Sequence, residues 1–350
     1  MTPRDRKFRM PAEWEPHEAT WLAWPHEKSD WPGKFAPIPW LYGEIVRHLA
    51  RVERVRILVA DERAERGVRK ILKTCHVDLA AVEFFHHPTN RSWTRDYCPL
   101  FVRNKSTVAI THWRFNGWAK HSNYELDSQV PHFLSLKMEV ERWAPDIVLE
   151  GGSIDVNGAG KLLTTEECLL SDVQARNPSL SRRELERALK DYLGISEVIW
   201  LGRGIAGDDT HGHIDDLARF TSKDTVVTVV EPDTSDPNHE PLKENLARLR
   251  ARKDLNVVTL PMPEPVYFAG QRLPASYANF YIANGIVLVP IFGDPNDRVA
   301  LNALQRLFPD RKIIGIYCRD LVLGLGTLHC MTQQEPKSPG SRQGFRRPRK

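Results

Sequence analysis

Short runs of β-branched and aromatic residues recur along almost the whole of this 350-residue chain. Most are bounded by Gly, Pro, Asn or Asp, which end strands, and fewer, longer segments with helical periodicity lie between them. Many strands with interspersed helices predict a mixed α/β fold. The predicted strands are Val55–Val59, Val82–Phe85, Val108–Trp113, Ile147–Leu149, Lys161–Thr165, Val198–Leu201, Thr225–Val230, Asn256–Leu260, Phe280–Val289 and Lys312–Tyr317. The predicted helices are Ser181–Leu193, which carries a capping box from Ser181 to Glu184, Pro241–Arg252 and Asn296–Leu307.

Charge is distributed unevenly between the body of the chain and its C-terminal end. The last fourteen residues, Lys337–Lys350, carry six of the 49 basic residues and no acidic residue. Residues 1–336 therefore hold 43 basic and 45 acidic residues, a balance compatible with a cationic substrate. We expect residues 337–350 to be a disordered, solubilising tail, with binding to nucleic acid as the alternative for this tail alone.

Apolar patterning and cysteine usage indicate the compartment. The longest apolar stretches, such as Gly285–Phe292, have the length of strands and predict no membrane span. The N-terminal residues are charged and lack the apolar run of a signal peptide. Five widely spaced cysteines predict free thiols in a reducing compartment, and we expect a cytoplasmic protein.

Four short segments place reactive side chains beside predicted strands: 93–99, 149–153, 207–216 and 324–330. Each residue taken alone has an ordinary structural interpretation. An aspartate beside an arginine often belongs to an ion pair, a glutamate before two glycines suits a loop, and a lone cysteine is usually a small buried residue. The four segments carry weight only in combination.

Together these side chains suit the chemistry of a guanidinium group. Such a group is planar and positively charged, so an enzyme must hold it between carboxylates and attack its carbon with a strong nucleophile. A histidine is also needed to protonate the departing ammonia and then to activate water. Asp96 and Asp215 are candidates for the clamp, Cys330 for the nucleophile and His213 for the acid and base. The residues alone do not select guanidines over other reactions of Cys and His.

The order and length of several motifs resemble those of the agmatine deiminase family, also known as the bacterial type of peptidylarginine deiminase. The resemblance extends from Met10 to Pro336, nearly the whole chain. The motifs lie at Met10–His26, Trp93–Pro99, Trp113–Trp118, Leu149–Ile154, Leu163–Leu170, Asp209–Phe220, Ser276–Tyr281, Phe292–Asp297 and His329–Gln334.

This resemblance implies a pentein fold, a five-bladed α/β propeller with pseudo-fivefold symmetry and the active site in its central channel. It implies a single catalytic domain over residues 1–336, no metal or organic cofactor, and is compatible with a homodimer. Residue by residue, it assigns Asp96 and Asp215 to the substrate clamp, His213 to proton transfer and Cys330 to nucleophilic attack. Glu150, from the Glu-Gly-Gly motif, is expected to orient His213.

The aromatic residues near these motifs are candidate walls for the substrate. We favour Trp93, which shares a motif with Asp96, while core packing is an equal alternative for the aromatic residues of Trp113–Trp118. The chain departs from the family pattern at Cys98, His211, Leu325 and Thr327, all beside the expected site. These departures concern the choice of substrate more than the type of reaction.

The resemblance implies hydrolysis of agmatine to N-carbamoylputrescine, a precursor of putrescine, and ammonia. Free arginine, peptidyl-arginine and other small guanidines remain alternative substrates. A metal-dependent amidohydrolase is a different class, suggested by His211 and His213 with Asp215 and Asp216 nearby. It lacks good further ligands, because only His239 and His329 follow along the chain.

Overall fold

Eighteen strands and eight α-helices alternate along residues 1–340, the part of the chain that this computed structural model describes. The helices are α1 (Ile38–Leu49), α2 (Glu62–Thr74), α3 (Thr94–Tyr97), α4 (Glu125–Lys137), α5 (Glu166–Leu170), α6 (Arg182–Leu193), α7 (His239–Arg250) and α8 (Pro295–Leu307). The strands are β1 (His17–Ala23), β2 (Arg54–Val59), β3 (Val82–His86), β4 (Leu100–Arg103), β5 (Val108–Thr111), β6 (Arg142–Trp143), β7 (Asp155–Val156), β8 (Lys161–Thr165), β9 (Glu197–Leu201), β10 (Ala218–Phe220), β11 (Thr225–Val230), β12 (Asn256–Pro261), β13 (Tyr267–Phe268), β14 (Gln271–Arg272), β15 (Tyr281–Ala283), β16 (Ile286–Ile291), β17 (Lys312–Tyr317) and β18 (Gln333–Pro336). Short 3₁₀ helices cover Arg4–Arg6, Lys28–Asp30, Leu79–Ala81, Gly151–Ser153, Ile214–Asp216 and Leu321–Gly324.

One strand arrangement occurs in five of the sheets. In each, a central strand pairs antiparallel with one neighbour and parallel with the other, and at least one helix precedes the parallel neighbour. The central strands are β1, β5, β8, β11 and β16; their antiparallel partners are β18, β4, β7, β10 and β15, and their parallel partners are β2, β6, β9, β12 and β17. The predicted α/β class is confirmed, and the fivefold repetition is present in the strand order.

The two ends of the fold meet in the first sheet. Strand β18, from the C-terminal end, supplies the antiparallel partner of β1, and the register places Trp21 opposite Gln333. The residues just before β18 therefore lie beside the first sheet, although more than 300 residues separate β18 from β1 along the chain. This pairing fixes the position of the segment that carries Cys330.

The predicted helices are confirmed to within two residues at each end. Helix α6 begins with the expected capping box, in which Ser181 and Glu184 satisfy each other's backbone N–H groups. Helix α8 begins with Asp294 as its N-cap and a proline at the first helical position. The local signals for helix ends were sufficient in both cases.

Two predicted strands were wrong in detail. The segment Phe280–Val289 forms two antiparallel strands, β15 and β16, because the chain turns at Gly285, whose φ is +77°. Ile147–Leu149 is not a strand, since Val148 makes only an isolated bridge with Arg114. The Asn284-Gly285 pair is a hairpin signal that divides the first segment, whereas the three residues of the second are too few to show a strand period.

The core follows the central strands. Strand β16 is buried from Ile286 to Pro290 and β8 from Leu162 to Thr165, as expected for strands covered on both faces. Helix α2 instead buries only Val68 and Leu72. The sheets therefore form the buried core, and this core positions the loops that precede the antiparallel partner strands.

Within residues 1–340, no helix is both long and apolar enough to cross a membrane. Residues 341–350, which contain most of the basic tail, lie outside the described residues, so the predictions for the tail stay untested.

Candidate active site

The fivefold repetition brings five segments of the chain to one place. Each segment comes directly before the strand that pairs antiparallel with a central strand, namely β4, β7, β10, β15 or β18. The side chains that these segments contribute are Asp96, Glu150, His213 with Asp215, Asn279, and Cys330. All six are at most 8% exposed, so the five predicted catalytic residues form one buried cluster together with Asn279, which was not predicted.

Cys330 lies at the wall of a cavity of about 550 Å³ that Asp96, Trp93 and Trp118 also line. The amide of Asn279 donates to Cys330 Sγ over 3.1 Å, and Asp215 Oδ2 lies 3.7 Å from the same sulfur. Burial, followed by the negative charges of nearby aspartates, raises the pKa of Cys330 well above its ordinary value. The free protein therefore holds a thiol at neutral pH, and a cation in the cavity would favour the thiolate.

His213 is surrounded by carboxylates on both sides of its ring. Its Nδ1 lies 3.9 Å from Asp96 Oδ1 and 4.0 Å from Asp215 Oδ1, while its Nε2 lies 3.9 Å from Glu150 Oε2. Burial opposes the charged ring, but Asp96, the thiol of Cys168 and Asp215 outweigh it and raise the pKa of His213 well above its ordinary value. His213 is therefore an imidazolium at neutral pH and can donate a proton.

Glu150 is held in place by an arginine that the sequence did not reveal. Arg176 Nε donates to Glu150 Oε1 over 3.0 Å, and both side chains are completely buried. Glu150 Oε2, which faces His213, has no hydrogen-bond partner among the described residues. Arg176 lies 26 residues further along the chain in an irregular loop, where no pattern of spacing could have identified it.

Both aspartates of the site lie beside His213, and Asp96 also lines the cavity. Asp96 accepts from the backbone N–H of Gly152 and from Trp118 Nε1, each over 2.9 Å. Burial, with Asp215 and Glu150 nearby, raises the pKa of Asp96 to about 6, although the charge of His213 opposes this. Asp215 Oδ1 has no hydrogen-bond partner within residues 1–340. A bound cation would satisfy this carboxylate, which otherwise lacks solvation at that oxygen.

The aromatic candidates separate into two groups. Trp93 and Trp118 line the cavity, and Trp93 Nε1 also donates to Asp30 over 3.1 Å. Trp113 instead packs edge-on against Tyr192, with ring centroids 5.6 Å apart, in a second hydrophobic cluster. Only the first group is placed to contact a substrate.

The departures from the family pattern also separate by position. Leu325 lines the cavity with a left-handed φ of +66°, a conformation that favours glycine. Thr327 reaches the site indirectly, because its hydroxyl donates to the Asn279 side chain over 2.7 Å. Cys98 is buried elsewhere in the core, and the ring of His211 lies 3.2 Å from Ser171 Oγ.

The amidohydrolase alternative required His211 and His213 to face one ion. Among the described residues, the potential metal-binding group that includes His213 consists of Glu150 and Cys168 instead, with donor atoms within 4.8 Å of one another. His239 is the first residue of helix α7, where its ring contacts the backbone oxygen of Glu231. The ligand set proposed for that alternative is not assembled.

Gly152 supplies a direct test of this geometry. A Cβ atom at this position would lie 2.6 Å from His213 Nδ1, 2.9 Å from Asp96 Oδ1 and 3.1 Å from Asp215 Oδ2. We expect Gly152→Ala to lower kcat/KM at least tenfold, because a displacement of about 1 Å at a reacting centre is costly. Steady-state kinetics and melting temperature measure this effect. Gly67→Ala is the matched control, since a Cβ there meets nothing within 4 Å and should leave activity unchanged.

Comparisons with known proteins show the family of the chain and agree with its fold. A profile of the Porphyromonas-type peptidyl-arginine deiminase family matches residues 9–336. An agmatine deiminase of Pseudomonas aeruginosa is 35% identical over an alignment that covers 96% of this chain and 97% of that protein.

Two solved structures are similar over nearly their whole length. The agmatine deiminase of Enterococcus faecalis superposes with a TM-score of 0.89 at 32% identity, covering 96% of this chain and 98% of that one. A cysteine-to-serine variant of the C. jejuni agmatine deiminase with substrate bound gives 0.88 at 34% identity, covering 95% and 97%. The predicted pentein fold is confirmed.

Proposed function

Because the chain belongs to the Porphyromonas-type peptidyl-arginine deiminase family, we propose that it is an agmatine deiminase, a hydrolase that converts agmatine and water into N-carbamoylputrescine and ammonia. One observation carries the proposal: a buried thiol, an imidazolium and two carboxylates form one cluster, and the thiol and one of the carboxylates line a cavity. These groups are Cys330, His213, Asp96 and Asp215. They are the groups that hydrolysis of a guanidinium requires.

Binding prepares the nucleophile. The guanidinium of agmatine pairs with Asp96 and Asp215, and these are two of the negative charges that raise the pKa of Cys330. Pairing offsets those charges, so the substrate itself favours loss of the thiol proton to solvent. Trp93 and Trp118 form apolar walls for the four-carbon chain and faces for its cationic ends.

In the first chemical step, the Cys330 thiolate attacks the guanidinium carbon. His213 donates its proton to the departing nitrogen, ammonia leaves, and an S-alkylthiouronium bound to Cys330 remains. Glu150 and Arg176 hold the ring of His213 in place through the contact on its Nε2 side.

In the second step, neutral His213 takes a proton from water, and the resulting hydroxide attacks the thiouronium carbon. The carbon–sulfur bond then breaks while the proton of the added hydroxyl passes to the sulfur, which releases the ureido product and restores the Cys330 thiol. Since Cys330 supplies the nucleophile and His213 handles the protons, the proposed chemistry uses no metal or organic cofactor.

The function is tested by measuring ammonia release from agmatine, arginine and peptides with a C-terminal arginine. We expect agmatine to be the best substrate, with arginine at least tenfold lower in kcat/KM. Asp30 and Asp209 line the cavity and are paired with Arg91 and Lys120, so these pairs offer no net positive charge to a substrate carboxylate. Arginine is the second candidate because Arg91 also lines the cavity, but Arg91 is already paired with Asp30. An inert agmatine beside a reactive arginine or peptide would overturn the choice of substrate and leave the reaction type intact.

Three further parts of the proposal concern the whole protein. Residues 1–336 form the single catalytic domain, which agrees with a family match that ends at residue 336. The location is cytoplasmic, supported by five cysteines that are all free thiols. The assembly is a homodimer, and neither nucleic acid nor a membrane is a partner of the domain.

A further inference from the structure

The N-terminal motif around Glu13 has no part in the proposed chemistry, yet Glu13 is only 6% exposed and lies at the back of the active site. Its carboxylate contacts His329, the residue before the nucleophile, with Glu13 Oε2 2.8 Å from His329 Nε2. On the other side of the same ring, His329 Nδ1 lies 2.6 Å from Asp215 Oδ2. One imidazole therefore connects a buried carboxylate of the N-terminal segment with a carboxylate of the substrate clamp.

From this geometry we infer that Glu13 and His329 form a relay that positions Asp215, in which His329 carries a proton on each ring nitrogen. The inference rests on the proposed deiminase function, because it assigns His329 a task in binding the guanidinium. His329 is a positioning residue, since it contacts Asp215 and not the reacting atoms.

The protonation of the relay follows from its contacts. Each ring nitrogen faces a carboxylate oxygen at hydrogen-bond distance, and each of these bonds needs a proton. Burial alone would raise the pKa of Glu13, but Arg219, His329 and Arg95 lower it well below its ordinary value. Burial would also raise the pKa of Asp215, but the hydrogen bond and the charge of His329 lower it below its ordinary value. Two carboxylates therefore accept from one ring, and both bonds are satisfied when each ring nitrogen of His329 carries a proton.

Charged and titratable groups surround the relay on both sides. On the cavity side, Asp215 faces His213, Asp96, Asp216 and Cys330. On the far side, Glu13 faces Arg219 over 2.9 Å and Arg95 over 3.5 Å. Arg219 is tied in turn to Asp155 over 2.8 Å, so Glu13 is a fixed anchor within a buried ionic network.

The relay determines which oxygen of Asp215 is available to a substrate. Oδ2 is occupied by His329, whereas Oδ1 has no hydrogen-bond partner among residues 1–340 and lies 4.0 Å from His213 Nδ1. The hydrogen bond at Oδ2 restricts rotation of the carboxylate and keeps Oδ1 on the side of His213, where it is free to accept from a guanidinium. Without the charge of His329, Asp215 would also take up a proton more readily, and a protonated Asp215 cannot pair with a cation.

The first test is the pH dependence of kcat/KM for agmatine in His329→Gln and Glu13→Gln. In the wild type we expect the acid limb to follow Asp96, near pH 6. In His329→Gln it should move upward by about one pH unit or more and become steeper, because Asp215 then titrates in the same range. At neutral pH we expect kcat/KM to fall about ten- to a hundredfold, mainly through KM. Glu13→Gln should shift the limb in the same direction by less.

The matched control is Glu53→Gln. Glu53 is also fully buried and also contacts a histidine, His17, over 3.3 Å, but it touches none of the active-site residues. It should lower the melting temperature without moving the acid limb. If His329→Gln and Glu53→Gln gave the same limb as the wild type, the relay would be wrong while the deiminase function would stand.

A second measurement uses the unaltered protein and does not depend on activity. Histidine labelled with ¹⁵N should show two protonated ring nitrogens for His329, identified by their loss in His329→Gln. A single protonated nitrogen would overturn the relay. If both protons were present but the wild type released no ammonia from agmatine, the proposed function would fail instead, and with it the role of the relay in binding substrate.

Discussion

Replacing Cys330 with alanine should reduce ammonia release from agmatine by about 10⁴-fold or more. The variant loses the atom that forms the covalent intermediate, and removal of the nucleophile in enzymes of this kind leaves only the contribution of binding and orientation. The cavity would keep Asp96 and Asp215, so agmatine should still bind. Ammonia release measures the first effect, and calorimetric titration with agmatine measures the second.

Cys318→Ala is the matched control for this substitution. Cys318 is completely buried, as Cys330 nearly is, and its thiol pKa is also raised well above the ordinary value by burial. It does not line the cavity, so its replacement should cost stability and leave turnover near the wild-type rate. A Cys330→Ala variant with turnover within tenfold of the wild type would exclude covalent catalysis by this residue.

The sequence alone could not rank Cys330 above the other cysteines. Cys168 and Cys318 are as deeply buried, and burial raises the pKa of all three. What separates Cys330 is its neighbours, Asp215 and Asn279, which lie 115 and 51 residues away along the chain. Contacts of this kind are made by the fold, and only the resemblance to a family could supply them beforehand.

The same limit applies to the fold. Helices with strong ends, such as α6 and α8, were predicted because their caps are local in sequence. Helix α2 was missed, since it buries only Val68 and Leu72 and its remaining surface is highly charged. Helix α4 contains an internal proline at position 131, which argues against a helix in isolation. Strands β6, β7, β13 and β14 have two residues each and are too short to show periodicity.

The fivefold repetition was invisible in the sequence for a related reason. A repeat of strand order requires only that apolar residues alternate with turns, and many sequences satisfy this condition. The functional residues instead reveal the repeat, because each precedes the antiparallel partner of a central strand. Asp96 comes before β4, Glu150 before β7, Asp215 before β10 and Cys330 before β18. Asn279, before β15, completes the set and was not predicted.

Replacing His213 with alanine should lower the rate of both chemical steps, and we expect kcat to fall by about 10³-fold or more. General acid–base catalysis contributes about 10² to 10⁴ in rate, and here one ring serves as acid in the first step and as base in the second. Its pKa, raised well above the ordinary value, keeps it protonated at neutral pH for the first of these tasks. Single-turnover measurement of ammonia release reports the first step, and formation of N-carbamoylputrescine reports the second.

His211→Ala is the matched control, because His211 lies two residues away but its ring contacts Ser171, whereas the His213 ring lies among the carboxylates of the site. It should retain most of the activity, whereas a metal-dependent mechanism through both histidines would lose activity in either variant. Mass spectrometry of the quenched His213→Ala reaction separates the two roles of His213. If ammonia were released at the normal rate and an adduct accumulated on Cys330, the leaving group would not need His213. The imidazolium that the surrounding carboxylates stabilise would then have no part in the first step, and His213 would be only the base that activates water.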